Sequence, residues 1–369
     1  MQRYLIICAI SFVSFLLIGI GFVWLVDPYG LNESSFLENF PRKTAASDKG
    51  RNIKSYQVEN IKPQTLIIGN SRVELGLPPK HNYYSGTTFN MGLPGASVLM
   101  QYDYGWHAIK ASGSIKKVIL AVDFTDFLSK DNSEQTWDGN WQFRLKHRLS
   151  DGQKNIPFNI ARAEEQLGFV FSQDALVDSL FTVAQQNKDV NALSENGFND
   201  ARLYVSLVRA EGFNALYVQK QQQLKVRLSN PDLKINSDST AFVALSEFLA
   251  LAKSQNIEIV MFVNPYQKPY LDLLEELALT DELWSWKQLI SEIAKQHQVE
   301  FYDFAILSWP VEAAPPLDSH IPTDNLYFWE PSHYKQSFGT LILDAIEQKR
   351  CSLEINGNTL SLCSLHMSN

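Results

Sequence analysis

The sequence predicts an α/β protein: a parallel sheet with helices on each side, tethered to a membrane by its N-terminus. Three observations carry this expectation. Short runs that are apolar on both faces recur at 65–68, 116–122 and 257–263, and strands buried on both faces belong to parallel sheets. Segments of helical spacing separate them, as with Phe242, Leu245, Phe248, Leu249 and Ala252 within 240–255; strands alternating with helices give βα crossovers. Finally, residues 4–26 carry no charged side chain.

At 1.5 Å per residue, about 20 apolar residues cross the hydrocarbon of a bilayer, so 4–26 is long enough to be a transmembrane anchor. The apolar part of a cleaved signal peptide is shorter and ends in a small-residue site. This stretch ends in Trp24-Leu25-Val26-Asp27, so an uncleaved anchor is expected. Arg3 precedes it, and Arg42, Lys43, Lys49 and Arg51 follow it; loop charge alone leaves the orientation open. Residues 27–60 are polar with scattered Pro and Gly and read as a linker and lead-in.

An α/β domain is then expected over 61–350. Strands are predicted at 65–68, at the start of 87–97, at 116–122, at 257–263 and at 299–304, and helices at 97–111, 240–255 and 284–298. A last helix would follow His333, with Phe338, Leu341, Ile342 and Ala345 as its apolar face. The segment 129–239 breaks the rhythm: it is rich in Asn, Gln, Asp and Ser, and has helical stretches at 173–187 and 201–227. It reads as a mostly helical insertion that could cap the sheet. Its Trp137 and Trp141 could stack on a sugar ring, although packing is the commoner use of tryptophan.

Cys351 and Cys363 bracket an Asn-Gly pair, a hairpin signal. A three-residue loop at 356–358 would set the two cysteines opposite one another, at a separation that suits a disulfide. Two unrelated thiols in a tail are the alternative. A bridge implies an oxidising compartment, and with the anchor it implies a single-pass inner-membrane protein whose domain lies on the periplasmic or another extracytoplasmic side. Cys8, inside the apolar span, reads as a small hydrophobe.

Composition bounds the function. With 369 residues, 45% of them hydrophobic, the chain can bury a sizeable core. A net charge of −8 disfavours nucleic acid as a partner, because phosphate recognition needs a concentrated basic surface.

In open α/β sheets ligands bind beyond the carboxyl ends of the strands. The polar residues expected there are Asn70, Ser71 and Arg72; Asn90, Gly92 and Gly95; Asp123 and Asp126; and Asn264. Glu330 and His333 stand in a later Pro-containing loop. These are the parts for acyl transfer. A serine hydroxyl needs a base, imidazole titrates near neutrality, and a carboxylate fixes its tautomer. The Ser71 and Gly95 backbone N–H groups and the Asn264 amide could donate to an oxyanion. Alone, each part has a plainer reading: Ser71 as a helix cap, Asn264 as a turn former, Asp123 and Asp126 as caps or ion-pair partners. Arg72 could contact an anionic substrate group or form a structural salt bridge.

Gly69-Asn70-Ser71-Arg72, Asn90-Met91-Gly92-Leu93-Pro94-Gly95, Val263-Asn264-Pro265 and Glu330-Pro331-Ser332-His333-Tyr334 together resemble the four blocks of the SGNH (GDSL-like) hydrolase superfamily. More narrowly, with "DPYG" after the anchor and "VILAVDFTDF" after the second block, the chain resembles the membrane-anchored bacterial members associated with cell-envelope polysaccharide modification. It departs from the family pattern in the first block, in the third, and in having Glu330 where aspartate is common. The resemblance implies a three-layer α/β/α, flavodoxin-like fold and an esterase or O-acyltransferase acting on acyl, foremost acetyl, esters of an envelope glycan. Ser71 would be the nucleophile, His333 the base, Glu330 its orienting acid, and Gly95 and Asn264 oxyanion donors. No cofactor or metal is implied, and the other histidines show no ligand-like spacing. Envelope-assembly proteins are conceivable partners. The rival reading is a catalytically inactive, glycan-binding or scaffolding relative.

Overall fold

The computed structural model describes residues 1–32, 40–130, 141–146, 157–355 and 358–366. Its centre is a mixed α/β unit built on a six-stranded sheet. The strands are β1 (Thr65–Gly69), β2 (Thr88–Gly92), β3 (Lys117–Val122), β4 (Glu258–Val263), β5 (Glu300–Asp303) and β6 (Ser364–His366), in the spatial order β6-β5-β4-β3-β1-β2. β1 to β5 are parallel. β6 runs antiparallel along the β5 edge; it lies just past the predicted hairpin, in a stretch too short to announce itself as a strand.

Because side chains alternate along a strand, β1, β3, β4 and β5 each feed two cores. Leu66, Ile68 and Leu120 enter one, packed by the helices Gly50–Ile61, Val98–Ser112, Thr240–Ser254 and Thr280–His297. Ile67, Ile119 and Ala121 enter the other, with Phe338 and Ile342 of the helix Gln336–Gln348. This double burial explains why the strands read as continuous apolar runs.

The helix Gln336–Gln348 is seated directly on the short helix Ser71–Gly76. A Cβ at Gly339 would fall 2.0 Å from the Gly76 carbonyl oxygen, and one at Gly76 2.2 Å from the Tyr334 ring. Two glycines therefore let the segment carrying His333 reach the segment carrying Ser71.

The N-terminal helix Gln2–Val26 has 25 residues and at 1.5 Å per residue is about 37 Å long, enough to cross about 30 Å of hydrocarbon. Val23 and Val26 are buried, and the Lys43 ammonium donates to the Val26 carbonyl at 3.1 Å. The expected linker at 27–60 is therefore more structured than its polarity suggested. It contains the helices Thr44–Asp48 and Gly50–Ile61, and Ile53 and Val58 are fully buried. Apolar residues one helical face apart were masked there by intervening Lys, Asn and Gln.

The insertion leaves and rejoins the sheet through a two-stranded neck in which Leu128–Ser129 pairs with Lys234–Ile235. Its described α-helices are Phe158–Phe171, Gln173–Ala184 and Arg202–Leu228, the last broken by a kink at Gly212, whose φ of 77° is not helical. Trp141 packs against the larger core, while Trp137 lies outside the described residues.

Cys351 and Cys363 form a disulfide. The hairpin register differs from expectation by one residue: Ile355 pairs with Asn358 and Ser352 with Ser361. A two-residue connection at 356–357, the length Asn-Gly favours, replaces the three-residue loop. That connection itself lies outside the described residues.

Candidate active site

β1 ends at Gly69, and Asn70 caps the helix that follows: its Oδ1 accepts the Arg72 backbone N–H at 3.0 Å. Ser71 is the first helical residue, held at the carboxyl edge of the sheet beside the point where strand order reverses between β1 and β3. From the far end of the chain, Phe328–Glu330 and His333–Tyr334 form a short antiparallel pair in which Glu330 faces His333.

Ser71 Oγ lies 2.7 Å from His333 Nε2. The other ring nitrogen, Nδ1, is hydrogen-bonded to Glu330 Oε1. Glu330 Oε2 accepts the Ser332 backbone N–H at 2.8 Å and the Ser332 hydroxyl at 3.0 Å. A carboxylate that accepts at Nδ1 favours the tautomer with its proton there, which leaves the Nε2 lone pair facing the serine hydroxyl.

The electrostatics suit a base. Burial pushes the His333 imidazole below its ordinary value, against the pull of the Glu330 charge, so the ring is neutral near pH 7. Burial alone would raise Glu330, but His333, Lys220 and the Ser332 N–H hold it below the usual carboxylate range, so it stays ionised.

A cavity of about 540 Å³ opens over Ser71 and His333. Gly95 stands in its wall with a left-handed φ of 62°, a conformation that suits glycine. The insertion supplies Lys220, Leu224 and Arg227 to the opposite wall. Lys220 Nζ is 3.7 Å from Glu330 Oε1, and the Tyr204 hydroxyl is 3.4 Å from that oxygen and 3.3 Å from His333 Nδ1.

One expected site residue falls elsewhere, and another has a structural role beside its place in the cavity wall. Asn264 is fully buried and does not line the cavity. Its Nδ2 donates to the Val122 carbonyl at 3.5 Å and its Oδ1 accepts from the Tyr334 hydroxyl at 3.3 Å. The reason is topological: β3 lies between β4 and β1, so the residue after β4 is one strand too far from Ser71. Arg72 takes the salt-bridge alternative. It is 6% exposed, ion-paired with Asp123, and donates from Nε to the Ser332 carbonyl at 2.7 Å. Its guanidinium also packs over the Tyr266 ring. It clamps the Glu330–His333 loop to the β3 end, and it also stands in the wall of the cavity.

Of the paired acids, Asp123 caps the helix Phe124–Phe127 and holds Arg72. Asp126 borders the cavity, accepting from Asn70 Nδ2 at 3.0 Å and Gln101 Nε2 at 2.9 Å. Burial, with Asp123 nearby, pushes its carboxyl up to about 6. Sequence reading missed Tyr204, Lys220 and Arg227 altogether. The helical segment that carries them was legible, but nothing in its composition announces the break at Gly212, which separates Tyr204 from the other two, or says which face meets the sheet.

Among the described residues, one group of three metal-capable side chains occurs, His81, Asp344 and Glu347, with ligand atoms within 4.8 Å of one another. It joins distant segments, so spacing did not flag it; His81 Nε2 is already 3.2 Å from Asp344 Oδ1.

The chain matches no family model, and no curated protein matches it.

Proposed function

We propose that the protein is a membrane-anchored serine esterase or O-acyltransferase of the SGNH type, acting on acyl esters of an envelope glycan from the extracytoplasmic side. One observation carries this reading: a hydroxyl, an imidazole and a carboxylate in hydrogen-bonded series, Ser71 Oγ to His333 Nε2 at 2.7 Å and His333 Nδ1 to Glu330. The strand order β2-β1-β3-β4-β5 is the flavodoxin-like order and supports the three-layer reading. The apolar N-terminal helix and the disulfide support an anchored protein in an oxidising compartment.

In this mechanism Ser71 Oγ attacks the ester carbonyl while its proton passes to His333 Nε2. The Ser71 and Gly95 backbone N–H groups receive the oxyanion. Collapse breaks the ester C–O bond, and His333 returns the proton to the departing alcohol. Water or a sugar hydroxyl then reverses the sequence on the acyl-enzyme. Glu330 stabilises the transient imidazolium without taking its proton.

The rival is a non-catalytic scaffold that keeps the same cluster as a structural polar network. A serine-reactive fluorophosphonate separates the two. Labelling of the folded full-length protein, abolished in Ser71→Ala, is the expected result. Folded wild-type protein that resists the probe would sink the enzymatic reading.

A further inference from the structure

The helices Phe158–Phe171 and Gln173–Ala184 are built inside out. The buried residues of Gln173–Ala184 are Ala175, Ser179 and Thr182, all small and two of them hydroxylated. Its large apolar side chains point outward: Leu180 is 57% and Phe181 54% exposed, with Leu176 beside them. Phe158–Phe171 shares the outward half of the pattern: Leu167 and Phe171 are exposed, its buried residue is Arg162, which reaches Glu59 at 2.7 Å, and Phe169 turns a large apolar ring inward, onto Tyr29 and Tyr56. A helix facing water shows the reverse, apolar in and polar out. Small and hydroxyl-bearing residues between helices, with large apolar ones outside, is how helices pack within lipid. The Ser179 hydroxyl is satisfied inside its own helix, donating to the Ala175 carbonyl at 2.7 Å.

Single exposed apolar residues need no explanation. Here eight large ones fall between 158 and 184, and they continue an apolar surface that already exists. The span Gln2–Val26 contacts both helices, and its Val23 shares a small core with Ala175 and Tyr29. Trp24, half exposed at the end of the span, is the residue type that marks a membrane surface. The two arms have 14 and 12 residues and meet at 53°. At about 21 and 18 Å, neither can cross about 30 Å of hydrocarbon. Unburied apolar helices of that length belong at the interface.

We propose that this bent pair is a second membrane contact, an elbow that sinks Leu180, Phe181, Leu167 and Phe171 into the acyl-chain boundary around the exit point of the span. The bilayer is its occupant because the elbow continues the surface of the span. The domain is then docked on the membrane rather than swinging from a tether. This inference rests on the anchor reading of Gln2–Val26, and its test keeps the two apart.

The full-length protein is labelled with an environment-sensitive fluorophore and reconstituted at low protein-to-lipid ratio. The vesicles are phosphatidylcholine and phosphatidylglycerol with depth-graded doxyl quenchers. Native Cys8 reports the span. In a Cys8→Ser background, Phe181→Cys and Leu167→Cys report the elbow, and Val226→Cys, 83% exposed on the insertion, reports the aqueous side. The elbow labels should quench several-fold more than Val226→Cys, most strongly with doxyl groups about 5–10 Å below the headgroups. Circular dichroism of each variant checks folding. Quenching at Cys8 with none at both elbow positions keeps the anchor and overturns the elbow. Elbow labels shielded from aqueous iodide yet untouched by lipid quenchers would mean that protein, a second copy included, covers them, and would also overturn it. No quenching at any position removes anchor and elbow together.

Discussion

At the rim of the sheet, polar side chains are drawn inward and each finds a partner; at the elbow, small residues turn in and large apolar ones turn out. Glu330 and His333 are 2% and 8% exposed and hydrogen-bonded to each other, to Ser332 and to Ser71. Leu180 and Phe181 are more than half exposed, while the inward face of their helix buries Ala175, Ser179 and Thr182 and pairs Asp178 with Lys49. The same physics gives both results. A buried charge needs a fixed partner, and an exposed leucine is unfavourable only where its surroundings are water. The contrast teaches that burial must be read against the local solvent: protein around the rim, lipid around the elbow.

The hardest test of the rim is Glu330→Gln. The amide keeps the shape but cannot hold imidazolium charge or enforce the tautomer, so the rate of serine phosphonylation by the probe should fall roughly 10³–10⁴-fold. The pH profile supplies the sign. His333 is already held below the ordinary imidazole value of about 6.5 by burial, and the Glu330 charge opposes that shift. Wild-type labelling should therefore rise through an inflection below about 6.5 and stay flat above it. Residual labelling in Glu330→Gln should inflect at still lower pH. An unchanged rate and inflection would remove Glu330 from the machinery and leave the rim a structural polar cluster.

Next in size is Gly339→Ala. The new methyl would sit 2.0 Å from the Gly76 carbonyl, a backbone contact that no rotamer change relieves. A loss of about 2–4 kcal/mol is expected, read from urea unfolding in detergent micelles. The helices Gln336–Gln348 and Ser71–Gly76 must part, so Ser71 and His333 should separate and probe labelling should slow as well. Full stability with full probe labelling would show that the close approach does not set the site.

The sequence made the rim legible because its parts stand next to strong local signals. Ser71 follows an apolar strand at once, and Glu330 and His333 share a loop ahead of a clear amphipathic helix. Helix limits were close too, 173–187 against Gln173–Ala184 and 201–227 against Arg202–Leu228, although the break at Gly212 within the latter was not foreseen. What failed was whatever depends on tertiary docking. Asn264 was placed at the site because strand order is invisible in one dimension, and β3 intervenes. Tyr204 and Lys220 were missed because the face a helix turns to the sheet is fixed by distant contacts. The elbow was read as part of a cap because inside-out and ordinary amphipathic helices have the same period; only burial tells them apart.

Asp126 gives a smaller effect, with the sign worked out from its pKa. A carboxyl raised to about 6 by burial binds its proton more tightly folded than unfolded. Its contribution is therefore least unfavourable below the unfolded value of about 3.9, worsens as pH rises to about 6, and is constant beyond. Asp126→Asn keeps an acceptor for Asn70 or Gln101 and removes the charge. Its stability gain over wild type should grow from near zero at pH 4 to about 1–2 kcal/mol at pH 7. A gain that shrank with rising pH would mean that Arg227, 3.9 Å away, already holds the carboxylate ionised.

The smallest effect puts the same chemical change into the other region. Gly168 lies in the last turn of Phe158–Phe171, and a Cβ there would meet nothing within 4 Å. A helical glycine with open space around it carries only the entropic cost of its flexible backbone, so Gly168→Ala should stabilise by up to about 1 kcal/mol. The substitution that wedges the rim apart at 339 should thus be mildly favourable at 168, because lipid yields to a methyl group where a carbonyl does not. Unfolding midpoints of the two variants, measured side by side in the same micelles, make the comparison direct. A loss of stability at 168 would mean that the elbow surface is packed against protein, and that its apolar face is an interface rather than a membrane contact.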